Sequence, residues 1–445
     1  MRIRYIKSAC VAVETKGVKI LTDPWLVDGE YYGSWCHYPE LKFNQDYFNS
    51  IDYIYISHIH PDHFSKKTFE ILNKDIPVLI HQYASPFLKM NIERLGFNVT
   101  ELPHNEKAEL KNGVTIEILA ADNCNPELCA KFMGCGIVET KFKFTQIDSL
   151  AVISDGEHNV LNLNDCPYDL AEEAVGVVIK KYKNIDFLLV GYGGAGPYPQ
   201  CFELSDEERQ KAEVSKRLQF LSQGEKYIKL VNPKFYMPFA GTYTLAGKLS
   251  ELQNKRGVPE LHEAVDHFLS STEINQEQSK SVLLNTYEYF DLTTQNQSKT
   301  YNPVDKVKKE AYIGTVLSKR KLEYEYDNEP VMEELLALIP AAHKRMDAKR
   351  EEINFVSDTC VLVKLKEDLY VKLNFDGSEY ELVDNTKGIT AFVEYQLSLK
   401  LLTRILKGPR YAHWNNAEIG SHIKFRRVPN TFERGLYHAM CFFHA

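Results

Sequence analysis

Ile51-Asp52-Tyr53-Ile54-Tyr55-Ile56-Ser57-His58-Ile59-His60-Pro61-Asp62-His63-Phe64-Ser65 is the stretch on which the reading of this 445-residue chain turns. Its first six residues form a short apolar run that suits a buried strand. The run ends directly in three imidazoles and a carboxylate, a density that neither core filling nor surface decoration accounts for. Alternate residues of a loop point to different sides. His58 and His60 are therefore expected to bind one metal ion while Asp62 and His63 bind a neighbour. Asp62, between histidines, can bind metal or orient a water, so Asp62 and His60 are the expected catalytic residues.

Working outward, Ile3–Ile6, Val11–Glu14 and Val18–Leu21 are β-rich, and Lys16-Gly17 reads as a hairpin turn. Downstream, Ser65 caps an expected helix over Lys66–Asn73, followed by a strand at Val78–His81 and a helix at Ser85–Leu95. Strands return at Val114–Leu119, Gly136–Thr140, Leu150–Ser154 and Val160–Leu163. A helix is expected over Leu170–Lys183 and a strand over Ile185–Val190. A long helix over Glu207–Leu230 is expected to bury Leu218, Leu221 and Ile228. The order β-rich, α, β-rich, α predicts an α/β fold in which two sheets lie between helices.

The polar, poorly periodic residues near 270–310 suggest a linker. Beyond them, Glu333–Arg350 and Phe392–Leu406 read as helices, and Asn354–Leu365 and Leu369–Leu373 as strands, before an aromatic tail at Phe432–Phe443. The expected organisation is a metal-binding domain over 1–270, a linker or elaborated loop over 271–310, and a smaller α+β unit over 311–445.

A bridging metal ligand is expected from another strand end. Asp165 follows the apolar run Val160–Leu163 and fits that place, the alternative being a cap for the next helix. An apolar fraction of 44% and a charged fraction of 26% are those of a globular chain. The net charge of −8 argues against general nucleic-acid binding, which requires a basic face. The only compact basic run considered, Lys424-Phe425-Arg426-Arg427, reads first as a solvated strand end. No run is long enough to span a membrane, and Met1-Arg2-Ile3-Arg4-Tyr5 leads straight into a strand, so a cytoplasmic location is expected. Nine scattered cysteines fit reduced thiols, and the one cluster, Cys124, Cys129 and Cys135, lacks metal-finger spacing.

His-x-His-x-Asp-His after a strand, preceded by Leu21-Thr22-Asp23-Pro24-Trp25-Leu26 and followed by Asp165, resembles the metallo-β-lactamase superfamily. The resemblance is to the branch that holds sugar-lactone hydrolases, N-acyl-phosphatidylethanolamine phospholipases and the catalytic region of CMP-N-acetylneuraminate hydroxylase. Leu161–Cys166, Gly193-Gly194-Ala195-Gly196, Tyr236–Gly241 and His413-Trp414-Asn415 look most like the last. The resemblance implies an αββα sandwich holding one or two divalent ions (zinc, iron or manganese) on His58, His60, Asp62, His63 and Asp165. Two departures stand out. Asn125 occupies a place where the superfamily supplies a histidine, and Thr242–Lys248 lacks another. Asp122, Asn125 or Glu127 are the expected replacement ligands. No Cys-x-His pairs with Cys441 and His444 to form an iron–sulfur site, so oxygen chemistry would draw on an external electron donor.

Three functions follow. The first is hydrolysis of a small anionic, sugar- or nucleotide-like substrate by metal-activated water. The second is oxygen activation by non-haem iron on two histidines and a carboxylate. The third is a non-catalytic metal or ligand binder. Gly193–Gly196 reads first as a turn, and Trp25, Tyr192, Tyr198 and Tyr243 first as core. His81, His104 and His158 read first as structural residues that could replace a lost ligand by folding inward.

Overall fold

The computed structural model of the protein describes residues 1–121 and 148–445. Gly136–Thr140, Asp122, Asn125, Glu127 and the three clustered cysteines lie outside the described residues. An eight-stranded mixed sheet runs in the order Asn296–Gln297, Tyr289–Asp291, Arg2–Lys7, Cys10–Thr15, Val18–Thr22, Tyr53–Tyr55, Val78–His81, Val99–Leu102. Its amino-terminal strands form the expected meander, with Lys16 and Gly17 at the turn in positive φ. From Val18–Thr22 onward the strands are parallel. Val78–His81 is buried at all four positions, the mark of a parallel strand covered on both faces.

The second sheet has seven strands, in the order Lys280–Ser281, Phe235–Phe239, Phe187–Gly191, Asn159–Asn162, Ser149–Ser154, Thr115–Ala120, Lys107–Glu109. The two sheets share one apolar layer in which Ile3, Val13, Ile20 and Tyr55 meet Ile118, Ile153, Leu189 and Met237. Helices Lys66–Ile71 and Phe87–Glu93 cover the outer face of the first sheet, and Tyr168–Tyr182, Asp206–Val231 and Leu261–Ser270 that of the second. This is the αββα sandwich of the metallo-β-lactamase type.

The carboxyl-terminal region is α+β. Its five-stranded sheet runs Glu381–Val383, Leu369–Phe375, Ser357–Lys366, Phe392–Gln396, Lys424–Val428, packed by helices Ile339–Glu352, Leu399–Leu406 and Arg434–Met440. It shares a continuous core with the sandwich, since Trp25, Tyr31, Trp35 and Tyr243 pack in the same cluster as Val361, Tyr395, Trp414 and Phe425. Backbone pairing reinforces the join: Glu203 N–H donates to Phe425 O and Phe425 N–H to Cys201 O, both at 2.8 Å.

Several elements differ from expectation. The stretch 271–310 contributes Lys280–Ser281 to one sheet and Tyr289–Asp291 to the other, where Ile3 pairs with Phe290. These are strands of two and three residues, too short for a period to show in the sequence, Lys280–Ser281 at the edge of its sheet and Tyr289–Asp291 one strand in from the edge of the other. Phe392–Gln396 is a strand and the helix begins only at Leu399, because Phe392-Val393-Glu394-Tyr395 is β-rich and sits centrally in its sheet. Glu333–Arg350 is two helices, Met332–Leu336 and Ile339–Glu352, with Pro340 in the first turn of the second. Leu218 is 54% exposed while Leu221 and Ile228 are buried, so the long helix turns a narrower face inward than expected.

Candidate metal centre

The parallel strands Val18–Thr22 and Tyr53–Tyr55 end side by side, and the chain leaving each one builds the site. Asp23 turns at φ 42° and is fully buried. Its Oδ1 accepts the Ser57 backbone N–H at 2.8 Å, and its Oδ2 accepts the Ser57 hydroxyl at 2.7 Å and His63 Nδ1–H at 2.8 Å. A carboxylate on Nδ1 fixes the ring's orientation, so His63 turns Nε2 toward the centre, where a metal could replace its proton. That nitrogen lies 3.3 Å from Asp165 Oδ2 and 3.6 Å from Asp62 Oδ2. The loop is closed by His63 N–H and Phe64 N–H donating to His60 O, and Ser65 caps the helix that follows.

His58 is held in the same way. Its Nδ1 is 3.0 Å from Asp148 Oδ1 and 2.9 Å from Ser57 Oγ, which leaves Nε2 facing His60 Nδ1 at 2.9 Å. His60 Nε2–H donates to Asn415 Oδ1 at 3.3 Å, so its Nδ1 also carries a lone pair. Two imidazole nitrogens thus converge, beside a third that faces two carboxylates. Donor atoms of one ion with bonds of about 2.0–2.1 Å stand roughly 3 Å apart. Donor atoms of His58, His63 and Asp165 lie within 4.8 Å of one another, enough to hold one metal ion.

The electrostatics describe a site short of positive charge. Burial acts to lower the His63 imidazole, but Asp165, Asp62 and Asp23 together hold it well above its ordinary value. Burial, and then the Asp165 charge, push the carboxyls of Asp62 and Asp148 up, Asp148 to about 7. Burial and the neighbouring imidazoles push His58 well down, and burial lowers His60. A cation in their midst would relieve the carboxylates and favour unprotonated imidazoles.

The outer flank comes from elsewhere in the chain. Tyr31 and Tyr32 sit in left-handed conformations, and the Tyr31 hydroxyl donates to Asp62 Oδ1 at 2.5 Å. The carboxyl-terminal unit fixes this turn: His422 Nε2–H donates to Tyr31 O at 2.7 Å, and His413 N–H to the Tyr32 hydroxyl at 2.7 Å.

Of the expected ligands, His58, His63 and Asp165 converge within 4.8 Å of one another, with His60 Nδ1 2.9 Å from His58 and Asp62 Oδ2 3.6 Å from His63 at their flanks. Sequence reasoning missed Asp23, Tyr31, Asp148 and Asn415 as site residues. Asp23 stood in a quoted segment without a role, and Asp148 precedes a strand as Asp165 follows one, a signal that was available. His81 and His104 pair with each other at 3.1 Å, and His158 lies by Asp155. Gly193 and Gly194 serve close packing, since an added Cβ would meet Gly241 Cα at 2.9 Å and the Phe220 ring at 2.4 Å. Tyr243 stacks on Trp35 at 3.5 Å and Trp25 is wholly buried, so both are core.

Residues 2–153 match the family described as Beta-lactamase superfamily domain. Among curated proteins, one from Mycolicibacterium smegmatis that carries the name of a Rieske 2Fe-2S iron-sulfur protein is 27% identical over 267 residues, covering 58% of this chain and 47% of that protein. Cytidine monophosphate-N-acetylneuraminic acid hydroxylase of Danio rerio is 27% identical over 280 residues, covering 59% of this chain and 42% of the hydroxylase. The chain thus spans about half the length of the curated relatives it matches, and the homology is distant. Solved structures of similar fold include an isothiocyanate hydrolase from Delia radicum gut bacteria (13% identity, TM-score 0.44, 65% of this chain and 99% of that one). Another is CmlA, a diiron beta-hydroxylase from Streptomyces venezuelae (18% identity, TM-score 0.37, 63% and 52%).

Proposed function

We propose that this chain is a metal-dependent hydrolase acting on a small anionic substrate, in which His58, His60, Asp62, His63 and Asp165 would hold one or two divalent ions. One observation carries the reading: His58 Nε2 and His60 Nδ1 converge to 2.9 Å, beside His63 Nε2 facing two carboxylates. Divalent ions at such a centre supply an acidified water and polarise an acyl or phosphoryl oxygen. The chain's own residues do the rest. Asp23 and Asp148 fix the faces of His63 and His58. Tyr31 holds Asp62 Oδ1, which leaves Oδ2 facing His63 Nε2 at 3.6 Å, placed to bind metal or orient a water. Among the described residues no helix is long and apolar enough to cross a membrane, and the reading needs only a diffusible substrate.

A second reading is oxygen activation. His58, His63 and Asp165 form a two-histidine, one-carboxylate group, the set suited to non-haem iron, and the names of the curated relatives point the same way. It requires an electron donor. Elemental analysis of protein purified without oxygen separates the two, with His60→Ala and Asp165→Ala as controls. Zinc or manganese, lost in both variants, supports hydrolysis. Iron supports the oxygenase, and a wild-type protein without metal overturns both in favour of a non-catalytic binder.

A further inference from the structure

Beyond Tyr243, on the side away from Trp35, a buried arginine and a half-buried lysine stand without an ionic partner among the described residues. Arg256 is 6% exposed, donates Nε–H to Gln253 O at 3.0 Å, and leaves NH1 with no hydrogen-bond acceptor. Its guanidinium lies over the Tyr243 ring at 4.2 Å. Lys216, from the long helix Asp206–Val231, packs beside it: an added Cβ on Gly257 would touch Lys216 Cβ at 3.3 Å. The Lys216 ammonium donates to Tyr198 O at 2.5 Å, in the loop that follows the glycine run. Burial first, and then the Arg256 charge, lower it to about 8.

Among the described residues no carboxylate lies within 4.0 Å of either cation. The acid whose charge reaches Arg256, Glu260, has both oxygens on Lys309 Nζ, at 2.7 and 2.8 Å. Burying an unpaired cation such as Arg256 costs several kcal/mol, and a fold that sets a second, half-buried cation beside it has left their counter-ion to come from outside. The metal centre is reached through packed rings: Tyr243 stacks on Trp35 at 3.5 Å, Trp35 lies 4.5 Å from the Tyr31 ring, and the Tyr31 hydroxyl donates to Asp62.

We propose that Arg256 and Lys216 form an anion-binding subsite, with Tyr243 as its wall, that takes a phosphate or carboxylate group of the substrate. The guanidinium offers NH1 to an oxyanion as a charge-assisted donor, and Lys216 adds a point charge. The inference rests on the hydrolase reading only for the word substrate, since anion binding is measurable without turnover.

Calorimetric titration of the metal-free protein tests the subsite, with inorganic phosphate and acetate as separate probes so that the two oxyanions are distinguished. Saturable binding of at least one probe is expected, weakened at least tenfold in Arg256→Met and in Lys216→Met. Arg256→Lys, which keeps the charge and loses the fork, should fall between them. Asp165→Ala is expected to bind the probe as the wild type does; loss of binding there places the anion on the metal centre and overturns the subsite. Thermal unfolding guards against a folding defect. With no anion present, Arg256→Met is expected to match or exceed the wild-type Tm, because an unpaired buried charge is removed. A lower Tm together with unchanged anion binding would show a purely structural arginine. Binding of neither probe to the wild type also overturns the proposal. Failure of the metal analysis with success here would leave an anion-binding protein and remove only the hydrolysis.

Discussion

Asp23, under the sandwich side of the metal centre, has every oxygen engaged, by the Ser57 backbone, the Ser57 hydroxyl and His63. Glu418 lies equally deep, on the helix Trp414–Ile419 that carries Asn415, and its Oε1 has no partner. Burial alone pushes the Glu418 carboxyl up to about 8. The first acid is a rigid anionic strut for a metal ligand, whereas the second is a neutral acid at physiological pH. Affinity for the cation therefore belongs to the sandwich flank, and the carboxyl-terminal flank contributes alignment through single hydrogen bonds.

The largest effect expected to bear on this contrast is that of Asp23→Ala. It strands two donors of Ser57 and frees the His63 ring, at a cost of about 3–5 kcal/mol in stability, with metal affinity falling about 10–100-fold. Urea unfolding and competitive chelator titration measure the two. Wild-type affinity in this variant would break the contrast.

Next comes the pH dependence set by Glu418. The folded chain keeps this proton where the unfolded chain has released it, so folding binds more protons between about pH 4.5 and 8. Stability should fall across that window by a few kcal/mol and level off above it, and Glu418→Gln should flatten the slope. Urea midpoints taken from pH 5 to 8.5 check this.

Tyr31→Phe removes the donor to Asp62 Oδ1 while keeping the ring against Trp35. Metal affinity should drop about tenfold and stability by roughly 1–2 kcal/mol. The smallest effect is that of Asn415→Ala, whose bond to His60 is 3.3 Å long. Metal affinity should change less than about threefold, while the visible spectrum of the cobalt-substituted protein shifts as His60 reorients. A larger loss of affinity would move the carboxyl-terminal flank from alignment to binding.

Much of the sandwich was legible because its elements are long, apolar and locally marked. The hairpin at Lys16-Gly17, the buried run before His58 and the strand–helix steps after it need only neighbours in sequence to be read. The six-residue histidine motif is of the same kind. What sequence could not show depends on distant partners. Asn415 meets His60 across 355 positions, and the Tyr31 hydroxyl meets Asp62 through a left-handed turn that no motif announces. Phe392–Gln396 was misread because apolar residues in a short run fit either period until the neighbouring strands are known.

The pairing of Ile3 with Phe290 has a consequence in time. During synthesis the first strand emerges long before the strand that covers its outer edge, a delay of about 15–60 s at roughly 5–20 residues per second. Throughout that interval the edge of Arg2–Lys7 is an open template for another chain. A fragment ending at residue 270 would keep that edge open permanently, so it should aggregate on the ribosome-release timescale, whereas one extended past Gln297 has its seam closed.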